Sequence, residues 1–131
     1  MSLKKAISLA QQRQKIISRG SSNISRMVAI LTDGNSTFTG ENSYRTHPLV
    51  QKFKTTEGKE CVHAEIAAII KARYYFTKIA GTRRDSYVTL RSFRMYIARV
   101  LADGTPALAA PCPECQTAME YFQIKDVFWT T

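Results

Sequence analysis

Two cysteines three residues apart constrain the folding of this chain most strongly, in the segment Pro111-Cys112-Pro113-Glu114-Cys115. On the first turn of a helix, side chains at positions i and i+3 lie on one face, and proline suits that turn because its missing N–H would have no partner there. A helix N-terminus also favours anions, so both thiols should ionise readily. Paired thiolates are typical zinc ligands, and any further ligand must come from a distant segment.

The segment Cys61-Val62-His63-Ala64-Glu65 offers that ligand, because it holds one of only two histidines in the chain. His63 with Cys112 and Cys115 would give three protein ligands and leave a fourth position for water, as in catalytic zinc sites. Glu65 would face the same cavity. Two alternatives stay open: Cys61 could close a four-ligand structural site, and His63 and Glu65 could be only a polar helix start.

Length and composition bound the organisation of the chain. Its 131 residues, 44% of them hydrophobic, fit one compact domain over 1–131. Three cysteines, two of them in one tight run, favour reduced thiols over disulfides. No apolar stretch approaches the roughly 20 residues that span a bilayer. We therefore expect a cytoplasmic protein with no membrane partner.

The net charge of +9 is unevenly distributed along the chain. The first basic cluster lies within residues 1–26, which contain no acidic residue: Lys4, Lys5, Arg13, Lys15, Arg19 and Arg26. The second basic cluster is opposed only by Asp85: Lys78, Arg83, Arg84, Arg91, Arg94 and Arg99. Such fields favour a nucleotide phosphate or a polynucleotide as partner, and the alternative is solvated surface with no specific partner.

Periodicity predicts three helices. The segment 1–20 reads as an N-terminal amphipathic helix over 2–18, with Gly20 as its stop. A second helix begins at His63 and ends at Gly81, and a third runs from Pro111 to about Phe122. The predicted buried stripe of the second helix comprises Ile66, Ala67, Ile69, Ile70 and Tyr74.

The strands are shorter. Residues 27–42 read as a β-hairpin around Asp33-Gly34-Asn35, and residues 43–60 as an irregular loop. Strands at 95–101 and 126–130 flank the third helix, and a strand–helix–strand crossover makes such a pair parallel.

Taken together, His63-Ala64-Glu65 and Pro111-Cys112-Pro113-Glu114-Cys115 resemble the cytidine and deoxycytidylate deaminase superfamily, because His-x-Glu followed by Pro-Cys-x-x-Cys is the zinc deaminase signature. Ile124-Lys125-Asp126-Val127 also fits, and the resemblance covers roughly 27–131, the expected catalytic core. It implies an α/β fold of three layers, α/β/α, around a mixed sheet of about four strands in the order 2-1-3-4. The usual fifth strand of the family is expected to be missing.

The resemblance also implies a reaction. Zn²⁺ on His63, Cys112 and Cys115 would lower the pKa of its bound water towards about 7. Glu65 would take a proton from this water, pass it to N3 of the base as hydroxide attacks C4, and then protonate the departing ammonia. The backbone N–H of Ala64 would face the substrate carbonyl.

Three further residues are candidates for substrate binding. Asn42, at the end of the second strand, would hydrogen-bond the sugar or base, although asparagine is also common at strand ends. Arg45 and His47 lie just beyond it and could meet a 5′-phosphate. His47, which precedes Pro48, could equally be an ordinary loop residue.

Three functions follow, in this order. The first is deamination of a free cytosine nucleotide or nucleoside, with deoxycytidylate preferred because of the basic Arg45 region. The second is deamination of single-stranded DNA or RNA, or of tRNA, along the basic clusters, with Tyr87 and Phe93 of an inserted segment 81–93 as base-stacking candidates. The third is a non-catalytic nucleic-acid-binding zinc module, for which Cys61 would have to reach the metal. An exposed sheet edge also suggests a homo-oligomer.

Overall fold

The computed structural model describes residues 3–17, 26–42, 63–83, 86–101 and 103–131, with 13–17 and 26 described by their backbone alone. Three of the predicted site or ligand residues, Arg45, His47 and Cys61, lie outside the described residues. The predicted loop 43–60 lies outside them as well.

The predicted helices and strands are all present where the chain is described. The elements in chain order are α1 Leu3–Ile17, β1 Arg26–Thr32, β2 Thr37–Glu41, α2 Ala64–Ala80, β3 Arg94–Val100, β4 Pro106–Ala107, α3 Pro113–Tyr121 and β5 Asp126–Trp129. The two-residue strand β4 was not predicted. Among the described helices, none combines the length and the apolar character needed to cross a membrane.

The sheet is mixed. β1 pairs antiparallel with β2 on one side and with β3 on the other. The outer edge of β3 is shared by two strands, since β5 pairs in parallel with its first half and β4 antiparallel with its last two residues. The four longer strands therefore lie in the order β2-β1-β3-β5. This is the predicted order 2-1-3-4, because β5 is the fourth of the predicted strands, and the predicted parallel crossover through α3 is confirmed.

Helices cover both faces of this sheet. On one face, Ala6 and Ala10 of α1 pack against a small core of Val28, Ile30, Ala98 and Val100. On the other face, α2 and α3 bury a larger core that includes Ala29, Ile69, Met95, Ile97 and Met119. The three-layer α/β/α arrangement is confirmed.

Helix α2 ends where the sequence predicts. Gly81 adopts the left-handed conformation, with φ of 67°, and its N–H group bonds to the carbonyl of Lys78. The predicted burial of Tyr74 is wrong, because its side chain is 48% exposed and the Lys78 ammonium lies 5.9 Å from the centre of its ring. Beyond Ile70, the inward face of α2 continues instead through Ala72 and Thr77.

The described part of the inserted segment 81–93 packs at the C-terminal ends of α2 and α3. The Leu90 N–H donates to the Phe122 carbonyl at 2.8 Å, and the Tyr87 ring stacks on the Phe122 ring. Phe93 is only 4% exposed and packs its ring edge to face with Phe76. The prediction of Phe93 as a base-stacking platform is therefore wrong, since its ring belongs to the core.

Candidate metal centre and active site

The first residue of the site is His63, which forms the N-cap of α2. Its backbone is extended, with φ of −75° and ψ of 159°, and its carbonyl accepts the first helical hydrogen bond from Ala67 N at 2.9 Å. Its imidazole does not cap the helix and contacts two sulfurs instead. The Nδ1 atom lies 3.2 Å from Cys115 Sγ and 3.3 Å from Cys112 Sγ.

The start of α2 is fixed by a close approach of β2. A Cβ atom on Gly40 would collide with the carbonyl oxygen of Ala64 and the backbone nitrogen of Ala68. Only glycine therefore lets β2 lie directly against the first turn of α2, which carries His63 and Glu65 at its start. Gly40 was not among the predicted site residues, although a lone glycine inside a predicted strand is a sequence signal for such a contact.

The two sulfurs come from the start of α3. Cys112 is its N-cap and Pro113 opens the helix, two residues later than the predicted start at Pro111, and the Cys112 carbonyl accepts from Gln116 N at 2.9 Å. Cys115, on the same face, is fully buried, whereas Cys112 is half-buried. Their Sγ atoms are 3.5 Å apart.

The three ligand atoms match the requirements of a zinc ion. All lie within 4.8 Å of one another, and their separations are 3.2, 3.3 and 3.5 Å. Tetrahedral zinc, with Zn–S near 2.3 Å and Zn–N near 2.0 Å, holds such atoms roughly 3.5–3.8 Å apart. Shifts of a few tenths of an ångström therefore suffice, and one imidazole with two thiolates is a donor set that zinc prefers.

The two thiols differ in acidity. The hydrogen bond between the sulfurs lowers the pKa of Cys112 to about 4, and the contact with His63 adds to this effect. The same hydrogen bond, together with burial, raises the pKa of Cys115. A coordinating metal ion would hold both sulfurs as thiolates.

Glu65 lies beside this cluster with its side chain only 1% exposed. Its Oε1 atom is buried and has no hydrogen-bond partner among the described residues. Burial raises the pKa of this carboxyl group, while hydrogen bonds from its own backbone amide and the Cys115 side chain act in the opposite direction. A buried carboxyl group with an unpartnered oxygen is costly in a core and typical of a functional site.

Two residues that the sequence predicts to contact the substrate, Asn42 and Ala64, are among the described residues. Asn42 directly follows β2, and its Oδ1 accepts a hydrogen bond from Met27 N at 3.2 Å. Ala64 is fully buried at the first position of α2. Its N–H belongs to the first turn of the helix, whose donors have no intrahelical acceptor.

Most of the second basic cluster lies far from this site. Lys78 is in the last turn of α2, and Arg83 follows its C-cap. Because the 17 residues of α2 rise about 1.5 Å each, its two ends are roughly 25 Å apart.

Arg91 hydrogen-bonds Gln123, just beyond α3, and Arg94 begins β3 at the end opposite the site. Of the described members, only Arg99, opposite Met27, lies near the metal-site end of the sheet.

An α/β/α fold with a histidine and two cysteines grouped at two helix starts defines a zinc-binding deaminase domain. A family model described as cytidine and deoxycytidylate deaminase zinc-binding region matches residues 2–131, and the chain belongs to this family. The match includes α1, which the resemblance over 27–131 left out. Searches among curated proteins and solved structures found no match. The predicted family, zinc as cofactor and deaminase class are confirmed.

Proposed function

We propose that this chain hydrolytically deaminates the cytosine base of a free nucleotide or nucleoside, with the deoxynucleotide preferred. The observation that carries the proposal is the buried carboxyl oxygen of Glu65, which no other described residue hydrogen-bonds, beside the group of His63, Cys112 and Cys115. These three residues would hold zinc, and a site with three protein ligands would leave one position for solvent. When bound, zinc lowers the pKa of water and so makes hydroxide available near neutral pH.

Glu65 moves the protons in this proposal. Its burial and raised pKa suit a group that both accepts and donates a proton, because burial makes the protonated form less unfavourable than it is in water. Glu65 accepts one proton from the attacking water and delivers it to N3 as the oxygen bonds to C4. It then accepts the second proton from the hydroxyl group on C4 and delivers it to the amino group, so that the C4–N bond breaks, ammonia leaves and a C4 carbonyl remains. The net reaction consumes one water and releases one ammonia.

Orientation of the base depends on the surrounding polar groups. The Ala64 N–H donates to the carbonyl oxygen of the pyrimidine, and Asn42 bonds the sugar or base through the part of its amide that Met27 does not use. Arg45 and His47 contact the 5′-phosphate. Support for these last two roles comes from the sequence, where they closely follow Asn42.

Deamination of a polynucleotide is the second candidate, favoured by the net charge of +9. The position of Lys78, Arg83 and Arg91 at the C-terminal ends of α2 and α3 weighs against it, since a strand held in the site would need a long path to reach them. A non-catalytic zinc module is the third candidate and requires Cys61 as a ligand. It gives no reason for a buried carboxyl group beside the metal.

The proposal is tested by measuring ammonia release from cytidine, deoxycytidine, both monophosphates, adenosine and a short single strand. Deoxycytidylate should react fastest with the zinc-loaded protein. The Glu65→Ala variant should keep its zinc and fold while losing activity. A clear preference for the oligonucleotide would replace the first candidate by the second, and unchanged activity of Glu65→Ala would refute the proton-transfer role.

We propose, in addition, that residues 1–131 act as one domain, in the cytoplasm, as a homo-oligomer. Both cores share one sheet, which supports a single domain and predicts one cooperative unfolding transition. The outer edge of β5 has no strand partner among the described residues. Phe128 and Trp129 are 46% and 38% exposed there, and Trp129 lines a groove of about 700 Å³. Such an edge suits a second subunit.

A further inference from the structure

Thr130 is a buried polar residue at the edge of the sheet, outside the group of metal ligands. It directly follows β5 and is only 4% exposed. Its backbone N–H donates to the Ile97 carbonyl at 3.1 Å, and its own carbonyl accepts from Ala109 N at 2.9 Å. Its hydroxyl donates to the Ala107 carbonyl at 2.5 Å and accepts from Arg99 N at 3.2 Å.

These four hydrogen bonds connect two parts of the molecule. Ile97 and Arg99 belong to β3, the strand that lies second in the sheet from this edge. Ala107 and Ala109 belong to the segment 107–111, which leads from β4 into Cys112. Thr130 therefore fastens the segment in front of a metal ligand to a central strand.

The segment 107–111 has few other constraints. Beyond Ala107 it contains no helix or strand, and Leu108 is 58% exposed. The Pro111 nitrogen has no hydrogen to donate. Among the described residues, the further hydrogen bonds of residues 108–111 are to the Leu108 carbonyl, from Arg99 at 3.4 Å, and to the Pro111 carbonyl, from Gln116 Nε2 at 2.9 Å.

Cys112 and Cys115 depend on this segment to different degrees. Cys115 is buried within α3, whereas Cys112 is the half-buried N-cap, only three residues after Ala109. Metal affinity is sensitive to displacements of a few tenths of an ångström, and groups that orient the ligands contribute strongly to it. A shift of residues 107–109 would displace Cys112 first.

We propose that Thr130 is a positioning residue of the zinc site, whose hydroxyl fixes the segment 107–111 and thereby the position of Cys112 Sγ. It touches neither metal nor substrate: its hydroxyl acts through the Ala107 carbonyl, while the bond from Ala109 N to its backbone carbonyl is common to all variants at this position. This inference concerns zinc binding alone and does not depend on which substrate the site takes.

The test compares zinc affinity in Thr130→Val and Thr130→Ser, measured by competition with a chromophoric chelator. Valine keeps the shape but loses the hydroxyl, so zinc should bind about 10–100-fold more weakly, the range for loss of a ligand-orienting group. Serine retains the hydroxyl and should restore the wild-type affinity. The visible spectrum of the cobalt-substituted protein should change in Thr130→Val and return in Thr130→Ser, because it reports the geometry of the ligands.

Thr77→Val is the matched control. Thr77 is 1% exposed, and its hydroxyl donates to the Arg73 carbonyl at 2.8 Å in the C-terminal half of α2, away from the metal. Its loss should lower the Tm of the metal-free protein without changing zinc affinity or the cobalt spectrum. Wild-type affinity in Thr130→Val, or an equal loss of affinity in Thr77→Val, would overturn the proposal.

A second pair of variants covers the case in which Thr130→Val does not fold. Thr130→Ala and Thr130→Ser both lack the γ-methyl group and differ only in the hydroxyl. Weaker zinc binding by the alanine variant supports the proposal, and equal affinities overturn it.

Discussion

At the scale of single residues, Glu65 combines two properties that oppose folding. Its carboxyl group is almost completely buried, and one of its oxygens has no partner among the described residues. Because burial disfavours the ionised form, the pKa of Glu65 is raised, and the charged carboxylate destabilises the fold. A buried carboxyl group that lowers stability in this way indicates a role in function and not in folding.

Replacing Glu65 by glutamine should therefore raise the stability of the metal-free protein at pH 7 while lowering deamination. Glutamine has nearly the same shape but no charge, so the free energy of unfolding should increase, because burial penalises the ionised carboxylate. Activity should fall about 10²- to 10⁴-fold, the usual contribution of proton transfer. Glu120→Gln, on the exposed side of α3, serves as control and should change neither quantity.

The pH dependence of this gain follows from the direction of the pKa shift. The folded state holds the Glu65 proton more tightly than the unfolded state, whose pKa is near 4.5. The penalty from the ionised carboxylate is thus complete above the folded pKa and vanishes below the unfolded one. The Tm difference between Glu65→Gln and wild type should shrink as the pH falls from 7 towards 4.5, and a constant difference would contradict this assignment.

The sequence identifies the metal ligands but not the residues that hold them. His63, Cys112 and Cys115 could be named because zinc restricts both residue type and spacing. Thr130 has no such signal: a threonine after a strand is ordinary, and its four hydrogen bonds exist only once β3, β5 and the segment 107–111 have come together.

At the scale of elements, the packing of β2 on α2 sets the position of half the site. The start of α2 carries His63 and Glu65, and Gly40 lets the strand reach it without a gap. A larger residue at position 40 would force the two elements apart.

Gly40→Ala should therefore lower both stability and activity. The added methyl group meets backbone atoms of Ala64 and Ala68, which cannot rotate away, so we expect a loss of about 1–3 kcal/mol. Zinc affinity should fall with it because His63 moves. Gly81→Ala is the control: its positive φ is unfavourable for alanine, but among the described residues nothing outside its own helix backbone and its two chain neighbours lies within 4 Å of the added Cβ. It should lower Tm and leave zinc affinity unchanged, and equal zinc affinity in both variants would argue against the role of Gly40.

Helix boundaries were easier to predict than helix faces. Pro113 and Gly81 mark a start and an end by local backbone preference alone. The exposure of Tyr74 depends on what packs against that side of α2, which helical periodicity alone does not show. Strand β4 escaped prediction because two residues, one of them proline, give no alternation to detect.

At the scale of the whole molecule, most described residues of the second basic cluster lie far from the group of metal ligands. The metal ligands lie at the N-terminal ends of α2 and α3, while Lys78, Arg83 and Arg91 lie near the C-terminal ends. Lys78 and Arg83 lie at the far end of α2, roughly 25 Å along its axis, and Arg91 lies beyond the 9 residues of α3, which rise about 14 Å. With a screening length of about 8 Å at physiological salt, such charges have little effect on a small anion in the site.

The triple variant Lys78→Gln, Arg83→Gln, Arg91→Gln should thus leave kcat/KM for a free nucleotide within about twofold of wild type at 0.15 M salt. Binding of an oligonucleotide, measured across salt concentrations, distinguishes the second candidate function. If a strand used these residues, the slope of log K against log salt would fall by roughly 2–3 in the variant. An unchanged slope would leave the free-nucleotide proposal standing.

The proposed oligomer is tested by light scattering of the zinc-loaded chain, which should give a mass above the 14.8 kDa of one subunit. Trp129→Glu places a charge at the exposed edge of β5 and should reduce the mass towards one subunit. Tyr74→Glu changes an aromatic residue of similar exposure on α2 and should not. A single-subunit mass for the wild type would refute the oligomer.

The ligands His63 and Cys112 are 49 positions apart in the chain. Folds dominated by distant contacts form slowly, because long loops must close before those contacts stabilise anything. Metal capture should therefore be among the last events of folding. Until then, the three cysteines and two histidines of the unfolded chain can bind zinc in combinations other than the native one. Excess zinc present from the beginning should retard renaturation, whereas zinc added after the sheet has formed should be taken up quickly.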